Sequence, residues 1–283
     1  PMLAFFRHGD GAFASLGGAT PLAPLALQAL DAREEAGGTA VRNAIYSGYQ
    51  RLEAASAVLI ADAGEMASPA VSPGAHASAL AFEFSDGPQR LVVNCGVPDG
   101  APLEWRDAAR TTAAHSTLTL NDVPSALLFE GGALAARYTK AQVIGVEASR
   151  GHTASGERLD MRHSGYARRF GLVHARTLAL LSDGSALQGC DMLEADEETD
   201  TDLKTQFTLR FHLHPKVTVG RSDRALRLLL PDGTAWSFLA DRTARIEESA
   251  CVTPERGLRP TRQIVLSGDA APGVRVRWKF ARA

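Results

Sequence analysis

Nothing in this 283-residue chain approaches the roughly 20 consecutive apolar residues that a helix needs to cross a bilayer. Cysteine is scarce: Cys95, Cys190 and Cys251 are far apart and form no CxxC pair, which argues against a disulfide framework or a structural zinc knuckle. Each has apolar neighbours, so buried free thiols are expected. They permit a reducing compartment, and a bacterial periplasm or cytoplasm is equally compatible. Basic charge is not in excess. The 30 Lys and Arg against 32 Asp and Glu leave a net charge of -2, with no general pull toward nucleic acid or an anionic membrane. Basic and aromatic residues are not interleaved as in nucleic-acid binders. A P-loop, a GxSxG elbow, a Ser/His/Asp triad motif and a GxGxxG opening a helix are all missing. No fixed repeat period marks a solenoid or propeller.

What is present is β punctuation. Only residues 1–42 lack it: there Pro24-Leu25-Ala26-Leu27-Gln28-Ala29-Leu30-Asp31-Ala32-Arg33 reads as a short helix, with Pro at its start and Gly37-Gly38 beyond its end. From Asn43 onward, short alternating or apolar runs are bounded by Gly, Pro, Asn or Asp. Residues 78–84 and 90–95 flank Ser85-Asp86-Gly87-Pro88; 172–181 and 186–192 flank Ser182-Asp183-Gly184-Ser185; 225–230 and 234–239 flank Pro231-Asp232-Gly233. Each reads as a hairpin with Asp-Gly in its turn. Near the end Val274, Val276, Trp278 and Phe280 alternate with Arg275, Arg277 and Lys279, a half-buried strand with a basic solvated face. Long helices do not alternate with the strands, so the expected class is mainly β: a large antiparallel β-sandwich over 43–283, preceded by a short helical segment and linker over 1–42. The chain opens on Pro1-Met2-Leu3 without a start methionine or signal peptide, and is expected to be a piece of a longer protein.

Two strings stand out beyond strand packing. One is AARTTAAHSTL, residues 108–118; the other is HSGYARRFGLVHARTLAL with DGSALQGCDML, within 163–193. Together they resemble the C-terminal β-sandwich of the heparinase II/III-like polysaccharide lyases, from about residue 43 to the end. MLAFFRHGDGAF at the start is similar to the last turn of that family's preceding helical domain. The resemblance implies an upstream (α/α) toroid as the partner domain, an acidic polysaccharide substrate, and a cleft between toroid and sandwich. The implied reaction is β-elimination, in which a base removes the C5 proton of a uronic acid and the 4-linked oxygen leaves. Its uronate carboxylate must be neutralised as charge develops, and a Tyr or His serves as base and acid. The resemblance places those base residues on the toroid, so no catalytic residue is assigned to this chain, which alone is expected to be inactive.

Residue by residue, His76 and His115 match the family's metal-ligand histidines, and Asn94 stands where its metal-binding members carry Asp. Asn lacks the charge of a carboxylate and is a poor zinc ligand. The position two residues before His76, where the family places a histidine of the sandwich, is Gly74. Two readings of His76, Asn94 and His115 stand open: a zinc site, or a hydrogen-bonded polar knot between strands. Arg106 and Arg110 could line a groove edge for a uronate chain through bidentate contacts, with Trp105 stacking on a sugar ring. His163, Tyr166, His174 and Arg176 read as one polar face of a strand pair, and His212 with His214 as a solvated strand face. The acidic run from Glu194 to Asp202 reads as a solvated loop, because it lacks the Gly and terminal Glu of an EF-hand loop. The alternative to a lyase wall is a non-catalytic glycan-binding or assembly module that has kept the fold.

Overall fold

The computed structural model describes residues 2–32, 40–66, 74–126, 128, 145–196, 204–222, 225–254 and 257–283. The strands run in chain order as β1 (Tyr49–Ala54), β2 (Ala57–Asp62), β3 (Phe82–Asp86), β4 (Gln89–Val93), β5 (Leu118–Leu120) and β6 (Val146–Thr153). Then come β7 (Gly156–His163), β8 (Leu172–Leu181), β9 (Ala186–Ala195), β10 (Thr205–Leu213) and β11 (Thr218–Ser222). The last are β12 (Ala225–Leu229), β13 (Ala235–Ala240), β14 (Arg245–Thr253), β15 (Gly257–Ala270) and β16 (Arg275–Arg282). Helices are short: α1 (Met2–Phe5), α2 (Pro24–Asp31), α3 (Leu103–Arg110) and α4 (Ala167–Phe170).

All pairings are antiparallel, and they make two sheets. The first is ordered β1-β2-β3-β4-β10-β15-β14, with β5 also on β10; the second is β11-β12-β13-β16-β9-β8-β7-β6. The three hairpins expected from Asp-Gly turns are present as β3–β4, β8–β9 and β12–β13. In the second of these, Gly184 takes φ +69 and the Asp183 carboxylate accepts from the Ser185 N–H at 2.9 Å. Pro260 sits inside β15 but pairs only with β14, beyond the stretch that meets β10, so its missing N–H costs the ladder nothing.

The inner faces meet in an aromatic core. Phe82 stacks on Trp278 at 5.6 Å with an interplanar angle of 4°, Phe211 and Phe280 meet the indole edge-on, and Phe238 packs at a tilt against both of them. Residues 2–32 do not stand apart from the sandwich. Phe5, Ala14 and Leu16 are buried against Val58, Ile60 and Ala81 on the outer face of the first sheet.

Beside the aromatics lies a charged network that the alternation of the strands had suggested would be an ordinary polar face. His163, His174, Arg176 and Asp191 are all buried, pointing inward. The Gly165 N–H donates to His163 Nδ1 at 3.0 Å, so the His163 proton sits on Nε2, facing His174 Nδ1 at 3.3 Å. His174 then donates from Nε2 to Asp191 at 2.7 Å. Asp191 also accepts from Arg176 Nε at 2.7 Å and Trp278 Nε1 at 2.7 Å. Arg176 crosses to the other sheet, donating to the Leu80 and Ser116 carbonyls. Burial keeps both histidines neutral. Against its own burial, the Arg176 charge and the His174 hydrogen bond hold the Asp191 carboxyl at about 2. Tyr166 is not on a strand: it precedes α4 and donates its hydroxyl to the Leu118 carbonyl at 3.0 Å.

His212 is likewise corrected. It is buried rather than solvated, bonded to Ser249 Oγ at 2.7 Å and to the Ala113 carbonyl at 3.0 Å, because β10 is an interior strand of its sheet. His214 falls beyond the end of β10 and is half-buried. Of the acidic run, residues 197–202 lie outside the described residues; Glu194 is half-buried on β9 near Arg162, at 3.8 Å.

Candidate functional site

The site is built where a loop and a helix end are stitched together. Leu103–Arg110 forms α3 because Pro102 precedes it, Glu104 sits in its first turn and Arg110 in its last, in keeping with the helix dipole. A single 3-10 turn, Thr112–Ala114, then delivers His115 toward β5. The Ala77 N–H donates to the Arg110 carbonyl at 2.9 Å, Arg110 Nε to the Ala75 carbonyl at 3.1 Å, and Thr112 Oγ1 to the Ala77 carbonyl at 2.8 Å. These bonds pin the 75–77 loop, and His76 with it, against the helix end.

The structure therefore brings His76, Arg110 and His115 together. His76 Nδ1 and His115 Nε2 lie 3.1 Å apart, with ring centroids at 5.2 Å. Burial, helped by the nearby Arg110 charge, lowers His76 to about 4. His115 is pushed well down by burial and then by His76 and His212. Both imidazoles are neutral at physiological pH. Gly18, at φ +95, approaches from the N-terminal segment so closely that a Cβ there would lie 3.0 Å from the His76 ring.

Asn94 is not directed at the pair. Its Oδ1 accepts from the Ser116 N–H at 2.9 Å and its Nδ2 donates to the buried Glu83 at 3.2 Å. With the two imidazoles bonded to one another and no carboxylate joining them, these residues do not fit a zinc ion, which wants four converging donors. Among the described residues no group of three or more His, Cys, Asp or Glu is placed to hold a metal. The two imidazoles are bonded to one another at 3.1 Å and Asn94 stands outside the pair, while the buried His115 Nδ1 has no hydrogen-bond partner among the described residues. Gly74, by contrast, is exposed with nothing within 4 Å of a Cβ built on it, so its lack of a side chain is not forced by packing.

On α3, Arg106 and Arg110 are four residues apart and share one face. Arg106 is exposed and Arg110 half-buried, and among the described residues neither has a carboxylate within ion-pair distance. Trp105 diverges from that face by about 100°. It is half-buried, with its Nε1 buried and without a hydrogen-bond partner among the described residues. The helix itself was not anticipated from sequence; Pro102 with Glu104 and Arg110 was the signal that could have found it.

Residues 36–279 match the family described as heparinase II/III-like, C-terminal. FtsZ-localized protein C of Caulobacter vibrioides is 30% identical over 301 residues, covering 99% of this chain and 50% of that protein. Among solved structures, a mutant of the heparan sulfate lyase HepC from Pedobacter heparinus superposes with a TM-score of 0.72 at 12% identity, over 99% of this chain and 45% of that one. A heparinase III gives 0.69 at 12% identity, over 99% and 47%. These similarities at low identity establish the shared fold, and the chain spans about half the length of the proteins it matches. With the family match covering most of its length, the chain belongs to the heparinase II/III-like C-terminal family.

Proposed function

We propose that this chain is the sandwich part of a polysaccharide-lyase protein and forms one wall of a cleft that receives a uronate-bearing polysaccharide. The observation that carries this reading is Arg110, held by the Ala75 carbonyl beside the His76–His115 pair and, like Arg106 one turn earlier on α3, without a carboxylate within ion-pair distance among the described residues. A carboxylate arriving at C5 of a uronic acid meets two planar donors there, and Arg suits a carboxylate because both N–H groups of its fork can be used at once. Neutralising that carboxylate is what β-elimination requires of the protein before a proton can be taken from carbon. The proton-transfer groups would come from a helical toroid joined to this chain in its parent protein. No step is assigned to a metal.

The test is the ultraviolet absorbance of unsaturated uronate, with the parent protein and this chain compared on heparin, heparan sulfate and alginate. The parent should produce signal, this chain alone none, and Arg110→Ala in the parent should raise KM. A parent inactive on the whole panel would sink the lyase reading. That result would instead favour an assembly or glycan-binding module. The specific observation behind this second reading is the 30% identity, across nearly the whole chain, to a protein named for its localisation with FtsZ. Glycan binding without turnover by the parent would support it.

A further inference from the structure

The outer face of the second sheet carries a groove of about 540 Å³ to which the proposed cleft makes no claim. It runs across the strands rather than along them. Register pairs place Arg158, Ala179, Gln188, Lys279 and Leu239 in one row over β7, β8, β9, β16 and β13. A parallel row holds Asp160, Thr177, Cys190 and Arg277. Small side chains in the middle, Ala179, Thr177 and Cys190, make a low floor. From Arg158 to Lys279 is three strand spacings, roughly 14 Å.

Cations stand at both ends of that floor. Arg158 is held in a two-point pair with Asp160, both contacts at 2.7 Å, so its charge is largely balanced. Arg277 and Lys279 are different: among the described residues neither has a carboxylate within ion-pair distance, and the nearby Asp241 lies 3.7 Å from Arg242. The groove therefore carries a net positive charge of about two, in a chain whose overall charge is -2. Between the cations, Gln188 offers its exposed amide to hydroxyls, and the Thr177 oxygen, whose proton goes to Asp160 at 2.6 Å, can still accept from one.

We infer that this groove is a second binding site for an acidic polysaccharide, separate from the proposed cleft. Two features favour a glycan over other polyanions. No exposed aromatic ring lines the floor, since the one indole there, Trp278, is 3% exposed and packed into the core, so bases have nothing to stack on. Apart from Leu239, no large exposed apolar side chain is present to enter a bilayer. Hydroxyl-reading side chains between well-spaced cations suit a chain with anionic groups on successive sugars. The face lies opposite the N-terminal segment, which covers the first sheet.

The test is binding of heparin to the full 283-residue chain, measured by surface plasmon resonance at two salt concentrations, with dextran, single-stranded DNA and phosphatidylglycerol vesicles as comparison probes. Arg277→Ala with Lys279→Ala should weaken heparin binding roughly 3- to 10-fold, as expected for an exposed and a half-buried charge contact, and flatten its salt dependence. Arg277→Lys with Lys279→Arg should retain it, which separates charge from misfolding. Arg106→Ala with Arg110→Ala tests the proposed cleft independently and should leave the groove contribution intact. Heparin binding unchanged by the groove pair would overturn the inference while leaving the cleft reading standing. DNA or vesicle binding equal to heparin and equally lost in the groove pair would also overturn it, marking an unselective polyanion surface.

Discussion

Asp191 is the residue on which the inter-sheet network turns, and Asp191→Asn is the sharpest perturbation of it. The carboxylate accepts from His174, Arg176 and Trp278, and the Arg176–Asp191 pair is fully shielded from solvent. Neutralising it leaves a buried guanidinium without its counter-charge; one of its terminal nitrogens, Nη2, already lacks a partner among the described residues. Breaking a buried pair from one side costs about 3–5 kcal/mol. The depression of Asp191 from 3.8 to about 2 sets a floor on the charge preference of the site, about 2 kcal/mol at neutral pH. That part is present above pH 4 and lost as the pH falls through about 2. Against a total stability of roughly 5–15 kcal/mol, Asp191→Asn should therefore lower Tm by about 10 °C and shift the urea midpoint without changing the slope. The companion variant, Asp191→Leu with Arg176→Met, should cost less than the two single changes added, because a buried pair replaced whole by apolar groups leaves no orphan charge. A loss under 1 kcal/mol in Asp191→Asn, or strict additivity in the double variant, would refute the account.

Two further predictions follow from buried groups. His76 and His212 sit at about 4 in the folded chain because burial disfavours their charged forms, so between pH 6.5 and 4 the unfolded chain binds more protons and stability falls as pH falls. The pair should remove about 4 kcal/mol by pH 5, read from urea midpoints at pH 7 and 5, and a flat profile would contradict it. A Cβ at Gly189 would fall inside the Trp278 indole, which is locked between Phe82 and Asp191, so Gly189→Ala should cost about 1–3 kcal/mol in the same assay. Unchanged stability would mean the indole has room to move.

The sandwich was legible because Asp-Gly turns between alternating runs carry local geometric information, and all three hairpins argued from them are present. What periodicity could not tell was which face of a strand meets the core. His174 and Arg176 alternate as a solvated face would, yet their side chains point between the sheets, His174 bonding to His163 and Asp191, and Arg176 to Asp191 and to carbonyls of the facing sheet. Such compensation comes from residues far apart in sequence. His212 misled for the same reason, since only the position of β10 inside its sheet buries it. At the candidate site the resemblance found His76 and His115, which do meet. It could not foresee that Asn94 would be committed to Ser116 and Glu83.

The expected division at residue 42 has a physical side, because the segment before it covers the outer face of the first sheet. Arg51 on β1 donates to the Phe5 carbonyl at 2.8 Å and the Arg7 carbonyl at 2.7 Å. Glu83 is wholly buried, and against that burial the His8 contact, the Arg90 charge and the Ser15 N–H keep its carboxyl below the usual range. Arg90 in turn donates to Asp10 and to the Ala12 and Phe13 carbonyls. A chain cut to residues 43–283 would uncover Val58, Ile60 and Ala81 together and strip Glu83 and Arg90 of most of these partners. An exposed apolar sheet face beside unsatisfied charges is an aggregation surface. The shortened chain should therefore be less soluble, and should melt well below the 283-residue chain wherever it stays in solution. Equal melting temperatures would show that residues 2–42 are an appendage to a sandwich that stands on its own from residue 43.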